Sequence, residues 1–439
     1  MLSSKSLRTT CEISGDKLPE NSSSSTSIIG SNNDLLIQIL LYLPVKSLLK
    51  FKSVSKRWLS LISDPYFIHN HCLRNHHSSI SGLFLQKTSN SINPEYEFIF
   101  LDGAGNIHGG IPFKSLNFVN DPAGIKIQQS CNGLLCCSSS FKSSSSNNNN
   151  INRSYYIYNP STKHYTILPE SQFRKNNLAI SVRSISLAFD PLKSPYYEAI
   201  CFCIDDQENY HIEIYSSKTA SWRFSGDPFP VPNDDSFFKS GVFWNGSLHW
   251  ISLNESSESI SLSEYSLYYF DVGRELLKRM PVPLMPEYEC ETRKIAYFGE
   301  CRGHLHLIEI YDSCNTHFDI LEMEIGYTRW MVKYRVYIEG MDLSIPKMVH
   351  DDSDSEEEFS FFEYSVLLVE EEKEKKKEEK EEESTLVLHM PKRVISFDHK
   401  ELICKKIQYL QQPSSLCVEG SLQFRWFDAY QYIESLACV

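Results

Sequence analysis

What limits the fold most is the spacing of apolar runs after Ser81. Short segments rich in aromatic and β-branched residues (GLFLQ, YEFIFLDG, GLLCC, YYIYNPST, HYTILP, SLAFDP, YYEAICFCI, HIEIYSS, GVFWNGSLHWIS, YYFDV, IAYFGE and HLHLIEIYD) alternate with Asn, Gly, Pro and Ser. Runs of that length bounded by turn residues are strands. Between Gly241 and Ile251, Asn245-Gly246 supplies the two positive-φ residues of a type I′ hairpin. About twenty such strands are too many for one small sandwich, and helix-length periodicity is scarce here. Radial repetition of four-stranded sheets packs them with few exposed edges, so a β-propeller of about six or seven blades is expected over residues 80–439. Two inserts break the pattern, the polar SSSFKSSSSNNNNINRS (138–154) and an acidic block (351–383).

The stretch before the strands has a different texture. Asp34 can cap a helix carrying Leu35, Leu36, Ile39, Leu40 and Leu43 on one broad face. Pro44 ends that helix and starts a second, because proline suits a first turn and not a helix interior. Val45, Leu48, Leu49 and Val54 form the second apolar set, with Phe51 beside it. Trp58, Leu59, Leu61 and Ile62 form a third, which Pro65 stops. Three short helices over residues 28–75 make too small a core for so many apolar residues, so part of that surface awaits a partner. PYFIHNHCLRNHH adds a last helix, on which His69, His71, His76 and His77 read as polar surface. Overall the chain reads as mainly β with a small helical module in front.

Charge is concentrated in one place. Residues 351–383 hold 16 acidic residues and 5 lysines, which accounts for nearly all of the net charge of −13. The remainder is close to neutral and offers no basic face for nucleic acid. The block cannot pack as a core, and Ser353 and Ser355 within it precede acidic residues that suit an acid-directed kinase. The Lys46, Lys50, Lys52, Lys56 and Arg57 group is a solvated face or a source of steering toward an acidic partner. The Ser-rich residues 1–27 lack the apolar centre of a signal peptide and read as a disordered tail. With no apolar run long enough to span a bilayer, no membrane association is expected. Thirteen cysteines in apolar contexts, without paired CxxC motifs, suit reduced thiols in the cytoplasm or nucleus.

The helical stretch DLLIQILLYLPVKSLLKFKSVSKRWLSLISDP resembles an F-box in the form common in plant F-box proteins. Ser31 and Asn32 stand where that family usually has Leu-Pro. The resemblance implies docking on a Skp-type adaptor and, through it, a cullin-based ubiquitin ligase. It points to Leu35, Leu36, Ile39, Pro44, Val45, Leu48, Val54 and Trp58 as the adaptor-binding set. The first helix, the Pro44 turn and the second helix supply the contacts, while Trp58 and Leu61 hold the helices together. Further along, CNGLLC, YIYNPSTKHYTILP, LAFDPLKSPYYEAICF, IEIYSSKTASWR, GVFWNGSLHWIS, YYFDVGRELLKRMPVP, FGECRGHLHLI and IGYTRWMVKYRV resemble, in order, the F-box-associated domain, a kelch-like β-propeller. YQYIESLACV resembles that domain's closing segment. No Trp-Asp series is present, and Gly109-Gly110 is a solitary kelch-type pair.

Signs of catalysis are few. The chain has no P-loop, G-x-S-x-G, HExxH or GxGxxG. His304 and His306 alternate along a strand and share a face without a visible third ligand. Asp205-Asp206 reads as a turn tip, and Trp222, Trp244, Trp250, Trp330 and Trp426 as core or sheet-face aromatics. The expectation is therefore a non-catalytic substrate adaptor needing no cofactor or metal, with an unknown target protein on the propeller. The alternatives are a scaffold working outside the ligase and, less favoured, a propeller enzyme.

Overall fold

The computed structural model describes residues 32–75, 80–87, 93–101, 112–139, 153–171, 181–230, 241–253, 265–284, 293–311, 317–337, 364–371, 384–390, 393–398, 400, 403–410 and 422–439. The tail at 1–27, Ser353, Ser355 and most of both inserts lie outside them. Ser138 and Ser139 complete a strand, and the SVLLVEE run inside the acidic block is another.

Four helices come first: α1 (Asn33–Leu40), α2 (Val45–Phe51), α3 (Lys56–Ile62) and α4 (Pro65–Arg74). Asn32, rather than Asp34, caps α1, accepting from the amides of Asp34 and Leu35 at 2.9 and 3.2 Å. The helix starts earlier than the sequence suggested, which moves Asp34 into the first turn, where its charge still complements the exposed amides. Pro44, Ser55 and Asp64 are the N-caps of α2, α3 and α4. Leu36, Leu40, Leu41, Val45, Leu48, Ile62, Phe67 and Ile68 form the module's buried core. Trp58 packs edge-on to Phe51 with centroids 5.2 Å apart, which ties α3 to α2. His71 departs from the expected polar surface. It faces inward, is 4 % exposed, and its Nε2 lies 2.8 Å from the Leu43 carbonyl.

Six antiparallel sheets follow among the described residues. The second blade comprises β3 (Ile125–Cys131), β4 (Leu134–Ser139), β5 (Tyr155–Asn159) and β6 (His164–Ile167). The third comprises β7 (Ser181–Ala188), β8 (Glu198–Ile204), β9 (Asn209–Ser216) and β10 (Ser221–Pro230). The fourth runs β11 (Val242–Trp244), β12 (Ser247–Leu253), β13 (Tyr265–Asp271) and β14 (Leu276–Arg279). The fifth is β15 (Arg293–Cys301), β16 (His304–Tyr311), β17 (His317–Met323) and β18 (Trp330–Tyr337). The sixth is β19 (Ser365–Glu371), β20 (Ser384–Met390), β21 (Arg393–Asp398) and β22 (Ile403–Tyr409). The first blade is composite. β1 (Gly82–Gln86) pairs on one side with β2 (Tyr96–Phe100) and on the other with β23 (Ala429–Tyr432).

The apolar residues explain why this closes as a ring. Each neighbouring pair of blades shares one buried cluster, so every sheet buries both faces. That is why the strands read as near-continuous apolar runs. The Asn245-Gly246 hairpin has φ of 48° and 74°, as a type I′ turn requires. The same turn recurs at Asn132-Gly133 and Arg302-Gly303, each between the first two strands of its blade. Polar side chains link the inner strands. Gln129 of β3 accepts from the Leu187 amide and donates to the Leu187 carbonyl on β7, which makes it a one-residue extension of the ladder.

Candidate functional site

The expected adaptor-binding residues separate into two groups. Leu36, Val45 and Leu48 face the module's own core. Their side chains are buried there, where they help hold the four short helices together. Trp58, half-buried against Phe51, supports the fold in the same way. Leu35, Ile39 and Val54 are 41, 43 and 59 % exposed, and Pro44 is exposed at the start of α2. On α1 the division follows helix geometry. Leu36 and Leu40 lie four residues apart on the buried side, and Leu35 and Ile39 four apart on the outer one. α1 therefore leaves one flank of its apolar stripe open to solvent.

Two exposed aromatics of the helical module were missed from sequence. Tyr42 stands under the Arg74 guanidinium, 3.6 Å from the ring centroid, and Tyr66 projects from α4. Neither has a spacing signal, since both flank the apolar periodicity. The basic group is also divided. Lys46 pairs with Glu434 at 2.6 Å, and Arg57 donates to Asn33 Oδ1 at the start of α1. Lys52 is half-buried, and burial lowers its pKa against the opposing influence of Cys438. Lys50 and Lys56 are exposed.

On the propeller, a pocket between the first strands of several blades is lined by Gln129, Ser130, Asn132, Glu300, Tyr430 and Gln431, with Trp426 and Phe427 among its aromatics. Several of its polar groups are engaged in hydrogen bonds between or within blades. Ser130 accepts from the Gln431 amide, and Gln431 Nε2 donates to the Glu300 carbonyl. Glu300 Oε1 accepts from the Gly303 amide at 2.7 Å. His304 pairs with Glu322 at 2.6 Å, while His306 is fully buried. Burial opposes the Glu322 charge, but His304 and Lys333 outweigh it and hold the carboxyl at about 2. Asp205 proves to be a turn organiser. Burial again opposes its charge, yet His211 and the Asn209 and Gln207 amides hold it at about 2. Trp222, Trp244 and Trp250 are buried, and Trp330 and Trp426 pack at the edges of interblade clusters. Among the described residues, no group of three or more His, Cys, Asp or Glu stands close enough to hold a metal ion. No helix among them is long and apolar enough to cross a membrane.

Comparison with known proteins gives matches to both parts of the chain. Residues 32–70 match the F-box domain, and residues 105–439 match the F-box associated beta propeller domain. The Arabidopsis thaliana F-box protein At5g07610 is 33% identical over 437 residues, covering 95% of this chain and 94% of its own. The F-box/kelch-repeat protein At3g23880 of the same plant is 26% identical, covering 63% of this chain and 71% of its own. The A. thaliana F-box protein At5g49610 is 32% identical, covering 50% and 57%.

Proposed function

Because this chain belongs to the F-box proteins that carry an F-box associated β-propeller, we propose that it is the substrate-recognition subunit of a Skp-cullin-F-box ubiquitin ligase. The observation that carries the reading is the outer apolar face of α1. Leu35 and Ile39, with Pro44 and Val54 beyond, stay uncovered while the adjoining flank of the same apolar stripe fills the module's core. A Skp-type adaptor covers that face, and the propeller holds a target protein. The chain then acts by proximity. Holding a target lysine near a charged ubiquitin-conjugating enzyme raises its effective concentration, and no catalytic side chain is needed here. The cysteines among the described residues, unpaired and mostly buried, suit work in the cytoplasm or nucleus.

Capture of a purified Skp-type adaptor tests this. The wild-type chain binds it, and the Leu35→Asp/Ile39→Asp chain does not while melting at the same temperature, because both sites are exposed. A wild-type chain that captures no adaptor would refute the ligase role and favour a scaffold working outside it.

A further inference from the structure

The segment after β23 belongs to two cores at once. Ala437 is buried in the cluster between the second and third blades, and its neighbour Leu436 is 2 % exposed in the core of the helical module. The successive side chains of Leu436 and Ala437 enter different clusters, so one short segment serves both.

Its seat on the propeller is built with care for every polar group. The fully buried Asn159 donates from Nδ2 to the carbonyls of Ser435 and Ala437, at 3.1 and 2.9 Å. Asn159 Oδ1 meanwhile accepts from the amides of Ser161 and Thr162 and so shapes the turn beside it. Ser161 Oγ accepts from the Ser435 amide at 3.1 Å. Gly133, at φ +87°, lets the first hairpin of that blade pass beneath. A Cβ there would sit 2.5 Å from the Ser435 Cβ. Two further ties join the same regions. Glu434 meets Lys46 at 2.6 Å, and His69 Nδ1 donates to the Pro191 carbonyl at 3.0 Å.

Building on the ligase reading above, we infer that Leu436 is a positioning residue for ubiquitin transfer: bedded on the second blade, it completes the F-box core and fixes the propeller's angle to the adaptor-binding helices. A surface tether would hold the two parts together and leave the angle free. A side chain shared with the module's core does not, because packed interiors have few alternative arrangements. The target-bearing propeller is thereby held at one reach from the conjugating enzyme.

The test uses the full chain as wild type, Leu436→Ala and Leu436→Val. Hydrogen exchange without adaptor reads the coupling. In Leu436→Ala, amides of α1 and α2 exchange roughly a hundredfold faster, less so in Leu436→Val, while β8 and β16 keep wild-type rates. Wild-type rates in α1 and α2 of Leu436→Ala would overturn the inference. Should that variant open the blades too, Leu436→Val decides: faster exchange confined to the helices sustains the inference, and an equal rise in helices and blades overturns it. The positioning role is read with saturating adaptor, cullin and charged conjugating enzyme, as the set of propeller lysines that accept ubiquitin. Leu436→Ala spreads modification over more lysines. An unchanged set, with only weaker adaptor capture, would reduce Leu436 to a stabilising residue. Adaptor capture by the wild type separately tests the ligase reading, so failure of one is distinguishable from failure of the other.

Discussion

Acid should weaken this propeller well above the pH at which its carboxylates protonate. His249 on β12 is fully buried, with Nδ1 3.0 Å from the Val242 carbonyl and Nε2 3.0 Å from the Tyr327 hydroxyl. A carbonyl can only accept, so Nδ1 carries the proton and Nε2 accepts from Tyr327. His389 on β20 is 1 % exposed and donates to the Phe424 carbonyl. Burial holds both at about 4, against the opposing pull of those carbonyls. The folded chain thus refuses protons that the unfolded chain takes up near 6.5. Stability is fully present above that pH, declines as pH falls toward about 4, and loses nothing further to these groups below it. From pH 7.5 to 5.0 each histidine accounts for about 2 kcal/mol, roughly 4 kcal/mol together, since they sit on different blades and should add. Asp205 and Glu322, at about 2, still hold their charge throughout that window. Urea titration followed by tryptophan fluorescence, with midpoint and slope at both pH values, measures the loss. His249→Gln/His389→Gln should start less stable at pH 7.5 and lose roughly 4 kcal/mol less on acidification. A double variant that loses as much as wild type, or a wild type that loses nothing, would refute the reasoning.

Leu48→Ala removes a fully buried side chain from the helical module and should destabilise it by about 2–5 kcal/mol, whereas exposed Val54→Ala should stay within about 0.5 kcal/mol; hydrogen exchange of α1 and α2 distinguishes them. Asn159→Ala leaves the Ser435 and Ala437 carbonyls without their donor and should cost about 1–3 kcal/mol, seen as a lower urea midpoint. Gly133→Ala forces a side chain into both a positive φ and the Ser435 side chain, so limited proteolysis should release the segment after Tyr432 sooner than in wild type.

The fold was legible where local chemistry dictates it. Asn245-Gly246 announces its hairpin, and the apolar runs announce strands buried on both faces. The repeat was harder to see. CNGLLC, WNGSLHW and CRGHLHL occupy the same turn in three blades, and Leu135, Leu248 and Leu305 fill equivalent buried positions. Only the turn glycine, its backbone conformation and that leucine recur, so no conventional signature forms. In the helical module, periodicity identified the apolar residues but not their partners. Leu35 and Leu36 are neighbours of the same type on one broad stripe, and which flank of it is covered depends on where α2 to α4 pack. The closing YQYIESLACV gave no sign of Leu436's place in the helical core, because its partners there lie hundreds of residues earlier in the chain.

The pairing of β1 with β23 has a consequence for how the protein is made. Gly82 and Tyr432 are register partners about 350 residues apart, so at roughly 5–20 residues per second β1 waits on the order of 20–70 s for its neighbour to leave the ribosome. Throughout that interval one edge of β1, carrying Leu83, Phe84 and Leu85, lacks the strand it will pair with. The helical module, translated before the propeller, waits equally long for Leu436. Nascent chains should therefore depend on chaperones late into synthesis. A premature stop anywhere before residue 429 leaves the ring open and the helical core short of a side chain, so defective products fail at both ends and present themselves for degradation.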